Sequence, residues 1–190
     1  MIITEPKWKS YIVETTTPVF TPEQCQKIIE AGRKQPRQDA LVGGDTIVNT
    51  NTRISHISWI PFSALPPMYK TIEKLMLRTN GNHFGFDGMR LTEPAQYTEY
   101  SEGGFYDWHI DNDVSFDKEP PVRKISMTLA LSPDNEFEGG GLEFMENGQI
   151  VKPKQGHAIF FASFIRHRAM TVTKGNRKSL VMWFGGPPFK

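Results

Sequence analysis

The order of hydrophobic and polar residues divides the chain into a helical first third and a longer remainder that alternates like β-strands. Thr21-Pro-Glu-Gln24 is a capping box, with threonine at the N-cap, proline at the first helical position and glutamine at the third. Apolar residues on one stripe follow, so we predict a helix over Pro22 to Gln35. A second apolar stripe predicts a helix over Pro67 to Thr79, and residues 53–60 alternate like a strand.

Short strands separated by turns are predicted for the rest of the chain. Their ranges are 91–100, 105–110, 124–132, 142–145, 149–152, 157–161, 167–173 and 178–184. Many short strands in one chain favour a β-sandwich or barrel, here with helices packed on one side. We therefore predict a mainly β chain with supporting helices (α+β). It forms a single domain over residues 1–190, in which about residues 1–90 make a helical and mixed support layer.

Composition and charge narrow the possible partners. A chain of 190 residues suits one domain, and its net charge of +1 gives no support for a nucleic-acid or membrane partner, so we expect neither. Cys25 is the only cysteine, which excludes an intrachain disulfide and favours a reducing compartment. The start of the chain lacks the features of a signal peptide, and no apolar run approaches the roughly 20 residues that span a bilayer. We predict a cytoplasmic protein.

Two histidines and an aspartate form the strongest candidate for chemistry. His109 and Asp111 are two residues apart on a predicted strand, so both side chains point to one face and can reach one ion. His167 supplies a second imidazole. Three such ligands on one face of an octahedral metal leave three positions open, as in non-haem Fe(II) oxygenases. The same ligands could hold Zn(II) in a hydrolase, and a lone His-x-Asp pair is common by chance.

A candidate anion-binding residue lies ten positions after His167. Alternation along the last strand puts Arg177, Ser179 and Trp183 on one face, with an apolar face behind them. An inward arginine needs an anionic partner, and its planar fork suits a carboxylate. The alternative is a surface arginine paired with an acidic residue. On the strand over 124–132, Thr128 belongs to a small, partly polar face that either leaves room for a ligand or faces solvent.

Four motifs together resemble the 2-oxoglutarate/Fe(II) dioxygenases, and most of all their prolyl 4-hydroxylase-like branch with its small bacterial and phage-type members. The resemblance covers about residues 91 to 186. The motifs are Tyr100-x-x-Gly-Gly-x-Tyr106-x-x-His109-x-Asp111, Glu138-Gly-Gly-Gly-Leu-Glu-Phe144, Pro153-x-x-Gly156-x-Ala-Ile-Phe-Phe161, and His167 followed by Arg177-x-Ser179-x-x-x-Trp183. Many prolyl hydroxylases have lysine at the position of Arg177, so this arginine favours the small bacterial type.

The resemblance implies a fold and a set of roles. It implies a double-stranded β-helix (jelly-roll) catalytic core over about residues 91–186, with Fe(II) bound by the two histidines and the aspartate. It further implies that the far carboxylate of 2-oxoglutarate binds Arg177 and Tyr100, and we add Ser179 and Thr128 to that cosubstrate site. Residues expected on the substrate side are Tyr106, Trp183 and, from a match in some relatives, Arg123.

The activity implied by the resemblance is hydroxylation of a C–H bond with Fe(II), 2-oxoglutarate and O2, releasing succinate and CO2, with ascorbate as a stimulant. The first choice of substrate is a prolyl residue of a peptide or protein, and the alternative is a free amino acid or small metabolite. The sequence shows no basic stripe that would support demethylation of a nucleic acid as the reaction. Basic residues do flank His167, so this alternative stays open. A non-catalytic jelly-roll binding module would not need the triad, Tyr100 and Arg177 together. The loop at residues 112–122 is well situated to act as a lid over the substrate, and a merely solvated loop is the alternative.

Overall fold

The computed structural model describes residues 11–39, 50–112, 120–145 and 148–189. Helix α1 (Pro22–Arg33) begins with the predicted capping box, because the Thr21 N–H donates to Oε1 of Gln24 at 2.8 Å and the Gln24 N–H donates back to Oγ1 of Thr21 at 3.4 Å. The helix ends two residues earlier than predicted, since Pro36 restricts the residue before it. Helix α2 (Pro66–Thr79) begins one residue earlier than predicted and runs into a π-helical turn at Asn80–Phe84.

The strands form two antiparallel sheets. They are β1 (Ile12–Glu14), β2 (Gln38–Asp39), β3 (Arg53–Ile54), β4 (His56–Ile60), β5 (Arg90–Leu91), β6 (Ala95–Ser101), β7 (Phe105–His109), β8 (Val122–Ala130), β9 (Phe137–Gly139), β10 (Leu142–Phe144), β11 (Gln149–Val151), β12 (Ala158–Ala162), β13 (His167–Ala169) and β14 (Val172–Gly186). The larger sheet has the order β1-β12-β8-β14-β6-β4-β2, with β5 and β9 also paired to β14. The smaller sheet has the order β11-β10-β13-β7-β3. The prediction of a mainly β jelly-roll with supporting helices is confirmed.

The structure corrects several predicted strands. The single strand predicted over residues 53–60 is two strands, because β3 pairs with β7 in the smaller sheet and β4 pairs with β6 in the larger one. The strand predicted over 91–100 is interrupted by Pro94, whose missing N–H cannot join a ladder. The end of the strand predicted over 167–173 belongs to β14, where it pairs with β9, a strand that the sequence pattern did not predict.

Helix α1 covers the larger sheet through a close contact at a glycine. Its buried stripe consists of Cys25, Ile28, Ile29 and Gly32. The carbonyl of Gly32 accepts a hydrogen bond from Oγ of Ser58 on β4 at 2.7 Å, and the ring of Tyr97 on β6 fills the space where a Cβ would stand. The absence of a side chain at residue 32 therefore sets how closely the helix approaches the sheet.

A methyl group at this contact is expected to destabilise the fold. In Gly32→Ala the new Cβ would stand 2.6 Å from Cδ1 of Tyr97, so helix or ring must shift. We expect a loss of about 1–3 kcal/mol in the free energy of unfolding, as for other overpacked cores. Urea unfolding measures it. Gly81→Ala is the matched control, because nothing lies within 4 Å of its added Cβ. Equal stability of the two variants would contradict the close contact.

The helices within the described ranges are all too short or too polar to cross a membrane. Strands β1 to β4 precede residue 91 and pair within both sheets, so the first part of the chain contributes strands as well as helices. The single domain over residues 1–190, with a support layer to about residue 90, stays a prediction. Of the predicted lid, residues 113–119 lie outside the described residues.

Candidate active site

Two adjacent strands of the smaller sheet bring the three predicted metal ligands together. Strands β7 and β13 pair with His109 opposite His167, and Asp111 follows two residues after the end of β7. Nε2 of His109 lies 3.5 Å from Oδ1 of Asp111, and Nε2 of His167 lies 3.6 Å from Oδ2 of the same carboxylate. The ligand atoms of all three residues are within 4.8 Å of one another. This spacing suits coordination of one ion.

The position of Asp111 has a different cause from the one that alternation suggested. Strand β7 ends at His109, so Asp111 lies in a bend and not on the same strand face. The backbone N–H groups of Asp111 and Asn112 both donate to the carbonyl of Ser163, at 3.0 and 3.1 Å. This carbonyl, just beyond the end of β12, turns the chain so that the carboxylate meets both histidines.

Backbone carbonyls fix the orientation of both imidazoles. Nδ1 of His109 lies 2.7 Å from the carbonyl oxygen of Asp107, and Nδ1 of His167 lies 3.0 Å from that of Ile165. A carbonyl only accepts, so Nδ1 carries the proton in each ring and the lone pair of Nε2 is left for a metal. The ring of Tyr106 stacks on His109 with centroids 3.5 Å apart, which holds that imidazole in place.

The protonation states also suit a cation. Burial raises the pKa of Asp111, but the opposing charge of His167 and a hydrogen bond from Ser126 are among the interactions that outweigh it, so the pKa stays below its ordinary value. Burial lowers the pKa of His167 from 6.5 to about 4, against the opposing charge of Asp111. The site therefore holds an ionised carboxylate beside a neutral imidazole at neutral pH, the forms that bind metals.

The lowered pKa of His167 makes the metal-free protein sensitive to mild acid. Between pH 6.5 and about 4 the unfolded chain binds a proton at this imidazole that the folded chain does not, so stability falls as the pH falls through this window. The loss approaches about 3 kcal/mol at the acid end. Urea unfolding of the metal-free protein at several pH values measures it. The variant His167→Gln should lose less stability over the same window, and equal losses would contradict the lowered pKa.

A cavity of about 860 Å³ opens between the two sheets beside the triad. Predicted residues of the cosubstrate site all line it: Tyr100 on β6, Thr128 on β8, and Arg177 and Ser179 on β14. Thr128 thus faces the cavity and not the solvent, which is the first of the two alternatives that its strand pattern left open. The four residues that the sequence analysis assigned to one site thus lie together in one cavity. Their roles in binding the cosubstrate stay predictions.

Arg177 is buried in this cavity without an acid. Its side chain is 6% exposed, and its guanidinium lies 5.3 Å from the centre of the Tyr100 ring. Nη1 donates a long hydrogen bond of 3.4 Å to Oγ of Ser179, and no carboxylate among the described residues pairs with it. Burial lowers the pKa of Arg177, with Tyr100 acting in the opposite direction. A buried guanidinium in this state favours an anionic ligand.

The predicted substrate residues line the other part of the cavity. The guanidinium of Arg123 lies 4.0 Å over the Trp183 ring and forms a bidentate ion pair with Glu93, with Nε donating at 2.6 Å. Trp183 in turn faces Trp59 at a centroid distance of 6.0 Å. Tyr106, Arg123 and Trp183 are therefore at the cavity, as predicted from the sequence.

Sequence reasoning missed several residues of the cavity wall, among them Arg53, Trp59 and Gln96. Arg53 and Trp59 lie on β3 and β4, which the pattern joined into one strand, and Gln96 lies on β6. Alternation along residues 53–60 could have put both Arg53 and Trp59 on one face. Nothing in the sequence indicated that this face belongs to the site.

A His-Asp-His triad with the spacing of metal ligands and a buried arginine without an acidic partner among the described residues lie in one cavity of the jelly-roll fold. The model of the 2OG-Fe(II) oxygenase superfamily matches residues 95–185, which include the triad and Arg177. A PKHD-type hydroxylase of Xanthomonas euvesicatoria is 34% identical over 101 residues, covering 50% of this chain and 44% of that protein. The chain thus spans less than half the length of this curated relative.

Two solved structures share the fold. A prolyl-4-hydroxylase of Pseudomonas putida superposes with a TM-score of 0.72 at 20% identity, covering 94% of both chains. The viral collagen prolyl hydroxylase of Paramecium Bursaria Chlorella virus-1, in a 2OG complex, gives a TM-score of 0.71 at 20% identity, covering 93% of this chain and 97% of that one. The match of residues 95–185 to the 2OG-Fe(II) oxygenase superfamily confirms the resemblance seen in the sequence.

Proposed function

We propose that this protein is an Fe(II)- and 2-oxoglutarate-dependent dioxygenase that hydroxylates a prolyl residue of a peptide or protein, with succinate and CO2 as coproducts. The observation that carries the proposal is the combination in one cavity of a His-Asp-His triad with the spacing of metal ligands and Arg177, a buried guanidinium without an acid among the described residues. A metal oxygenase that uses a dicarboxylate needs both. The PKHD-type relative and the two prolyl hydroxylase structures support the same reaction class.

The donor set fits iron and the cosubstrate. The two imidazoles and one carboxylate would hold Fe(II) and leave it able to bind 2-oxoglutarate and O2. In this proposal Arg177 and the adjacent Tyr100, which both line the cavity, receive the far carboxylate of 2-oxoglutarate. When bound, the iron supplies the redox chemistry that couples O2 to decarboxylation of the cosubstrate and oxidation of a C–H bond.

The side chains of the protein hold and orient the reactants. The carbonyls of Asp107 and Ile165 keep Nε2 of each histidine directed at the metal position. Burial raises the pKa of Tyr106 to about 12, so its phenol keeps its proton beside the site. Walls formed by both sheets surround the reacting groups.

Two features of the wall support a prolyl peptide as the substrate. Trp59 and Trp183 form an aromatic surface against which a pyrrolidine ring can pack. Asn112, beside Asp111, is 3% exposed, and neither atom of its carboxamide has a hydrogen-bond partner in the described part of the chain. A carboxamide offers a donor and an acceptor, which match the carbonyl and N–H of a peptide backbone.

The assay measures succinate from purified protein with Fe(II), 2-oxoglutarate, O2 and ascorbate, the last included as a predicted stimulant. Proline-rich peptides are compared with the same peptides carrying alanine for proline, and mass spectrometry locates any added oxygen atom. We expect proline-dependent succinate and oxygen on a proline. Stimulation by free proline but by no peptide would replace the peptide substrate with the amino-acid alternative. Absence of succinate above the iron-free control would contradict the dioxygenase itself.

A further inference from the structure

A second arginine, Arg53 on β3, lies in the same cavity and has no part in the mechanism above. Its side chain is 6% exposed. Nε donates to Oγ of Ser55 at 2.8 Å, and Nη2 donates to Oε1 of Gln96 at 3.1 Å. The guanidinium lies 4.4 Å over the ring of Tyr106. None of these contacts is acidic, so within the described part of the chain the cation is held by neutral groups.

Among the described residues of the cavity wall, none supplies an anion to Arg53 alone. The described residues of the wall include three arginines and two acids. Glu93 pairs with Arg123, and Asp111 belongs to the triad. Under the proposed function Arg177 takes 2-oxoglutarate. Burying a guanidinium without an anion is unfavourable, and Arg53 still has N–H donors beyond the two that Ser55 and Gln96 engage.

The place of Arg53 separates it from the cosubstrate arginine. Its guanidinium lies over the ring of Tyr106, and that ring stacks on the imidazole of His109. One aromatic ring therefore lies between Arg53 and a predicted metal ligand. Arg177 lies beside Tyr100, on the paired strands β14 and β6. Strand β3, by contrast, pairs with β7 in the other sheet.

We propose that Arg53 binds a carboxylate of the substrate to be oxidised, so that this site selects acidic substrates. The proposal rests on the proposed function and specifies its substrate class. Two sources share this chemistry: the α-carboxylate of a free amino acid, and a carboxylate of a peptide near the oxidised residue. In both, the guanidinium fork receives the anion while the metal site and Arg177 hold the cosubstrate.

Matched probe pairs test the proposal by equilibrium binding. The first pair is L-proline and L-prolinamide, and the second is acetyl-Glu-Pro-Gly-amide and acetyl-Gln-Pro-Gly-amide. Calorimetric titration into anaerobic protein loaded with Mn(II) and 2-oxoglutarate gives the dissociation constants. We expect the carboxylate member of one pair to bind roughly 10–100-fold more tightly than its amide, the range of a hydrogen bond to a charged group. The pair that discriminates identifies the source of the carboxylate.

The variant Arg53→Gln should remove this preference and leave 2-oxoglutarate binding unchanged. Arg78→Gln, an exposed arginine of α2, is the control for loss of one positive charge and should keep the preference. Equal weakening of both members of a pair in Arg53→Gln would show that Arg53 only supports Tyr106, and weaker 2-oxoglutarate binding would make it the cosubstrate arginine. Either result overturns the proposal.

The titration of the wild-type protein tests the proposal even if the Arg53→Gln variant does not fold. Equal affinity of wild-type protein for carboxylate and amide in both pairs overturns the proposal. Failure of the proposed function is seen separately, as absence of succinate from the wild-type enzyme with every probe in the presence of Fe(II) and O2. Binding that prefers the carboxylate in an inactive protein would support the role of Arg53 and reject the reaction.

Discussion

Replacement of Asp111 by alanine should abolish iron binding and reduce succinate formation by roughly three orders of magnitude or more, as expected when a catalytic metal is lost. Asp111 is the one carboxylate of the triad, and its lowered pKa keeps it ionised at neutral pH. Without it the metal position retains two imidazoles and no negative charge. Mn(II) titration, monitored by electron paramagnetic resonance, measures binding, and the succinate assay measures turnover.

Asp107→Ala is the matched control for this variant. Asp107 is an exposed aspartate whose backbone carbonyl, and not its side chain, accepts the hydrogen bond from Nδ1 of His109. Alanine preserves that carbonyl, so metal binding and succinate formation should stay close to those of the wild type. Succinate formation that persists in Asp111→Ala would reject the triad as the iron site.

Replacement of Arg177 by glutamine should weaken 2-oxoglutarate binding by about 10–100-fold while metal binding stays intact, because a bidentate charged partner of the far carboxylate is lost. Arg177 has no acidic partner among the described residues, so its removal breaks no ion pair of the described fold. The free energy of unfolding of the ligand-free protein should therefore stay equal or rise. Calorimetric titration with 2-oxoglutarate and urea unfolding measure the two effects.

Arg177→Lys is the informative companion. Lysine keeps the charge and loses the planar fork, so its 2-oxoglutarate affinity should fall between those of the wild type and Arg177→Gln. Unchanged affinity in the glutamine variant would remove Arg177 from the cosubstrate site. A large loss of stability in that variant would show that the guanidinium has a structural partner.

The part of the site on β14 was predictable because alternation holds along a long, regular strand. Arg177, Ser179 and Trp183 line the cavity as the period of two requires, with Leu180 and Met182 in the core behind them. The capping box of α1 was equally predictable, since it depends on residues three positions apart. The capping box depends on neighbouring residues, and the cavity face of β14 follows from the two-residue period of one strand.

Long-range contacts produced the features that the sequence did not predict. Asp111 reaches the histidines because the carbonyl of Ser163, fifty-two residues further along the chain, holds the bend after β7. Arg53 and Trp59 reach the cavity because the chain changes sheets near Ser55, although the alternation continues through that point. No local pattern records which sheet a strand joins. The roles of Tyr106, Trp183 and Arg123 in binding the substrate stay predictions.

The most direct test of the account is a crystal structure of the protein grown anaerobically with Mn(II) and 2-oxoglutarate, with the anomalous signal of manganese locating the metal. We predict one manganese ion bound by His109, Asp111 and His167, with the far carboxylate of 2-oxoglutarate on Arg177 and Arg53 free of it. Manganese at any other position, or the far carboxylate on Arg53, would contradict it.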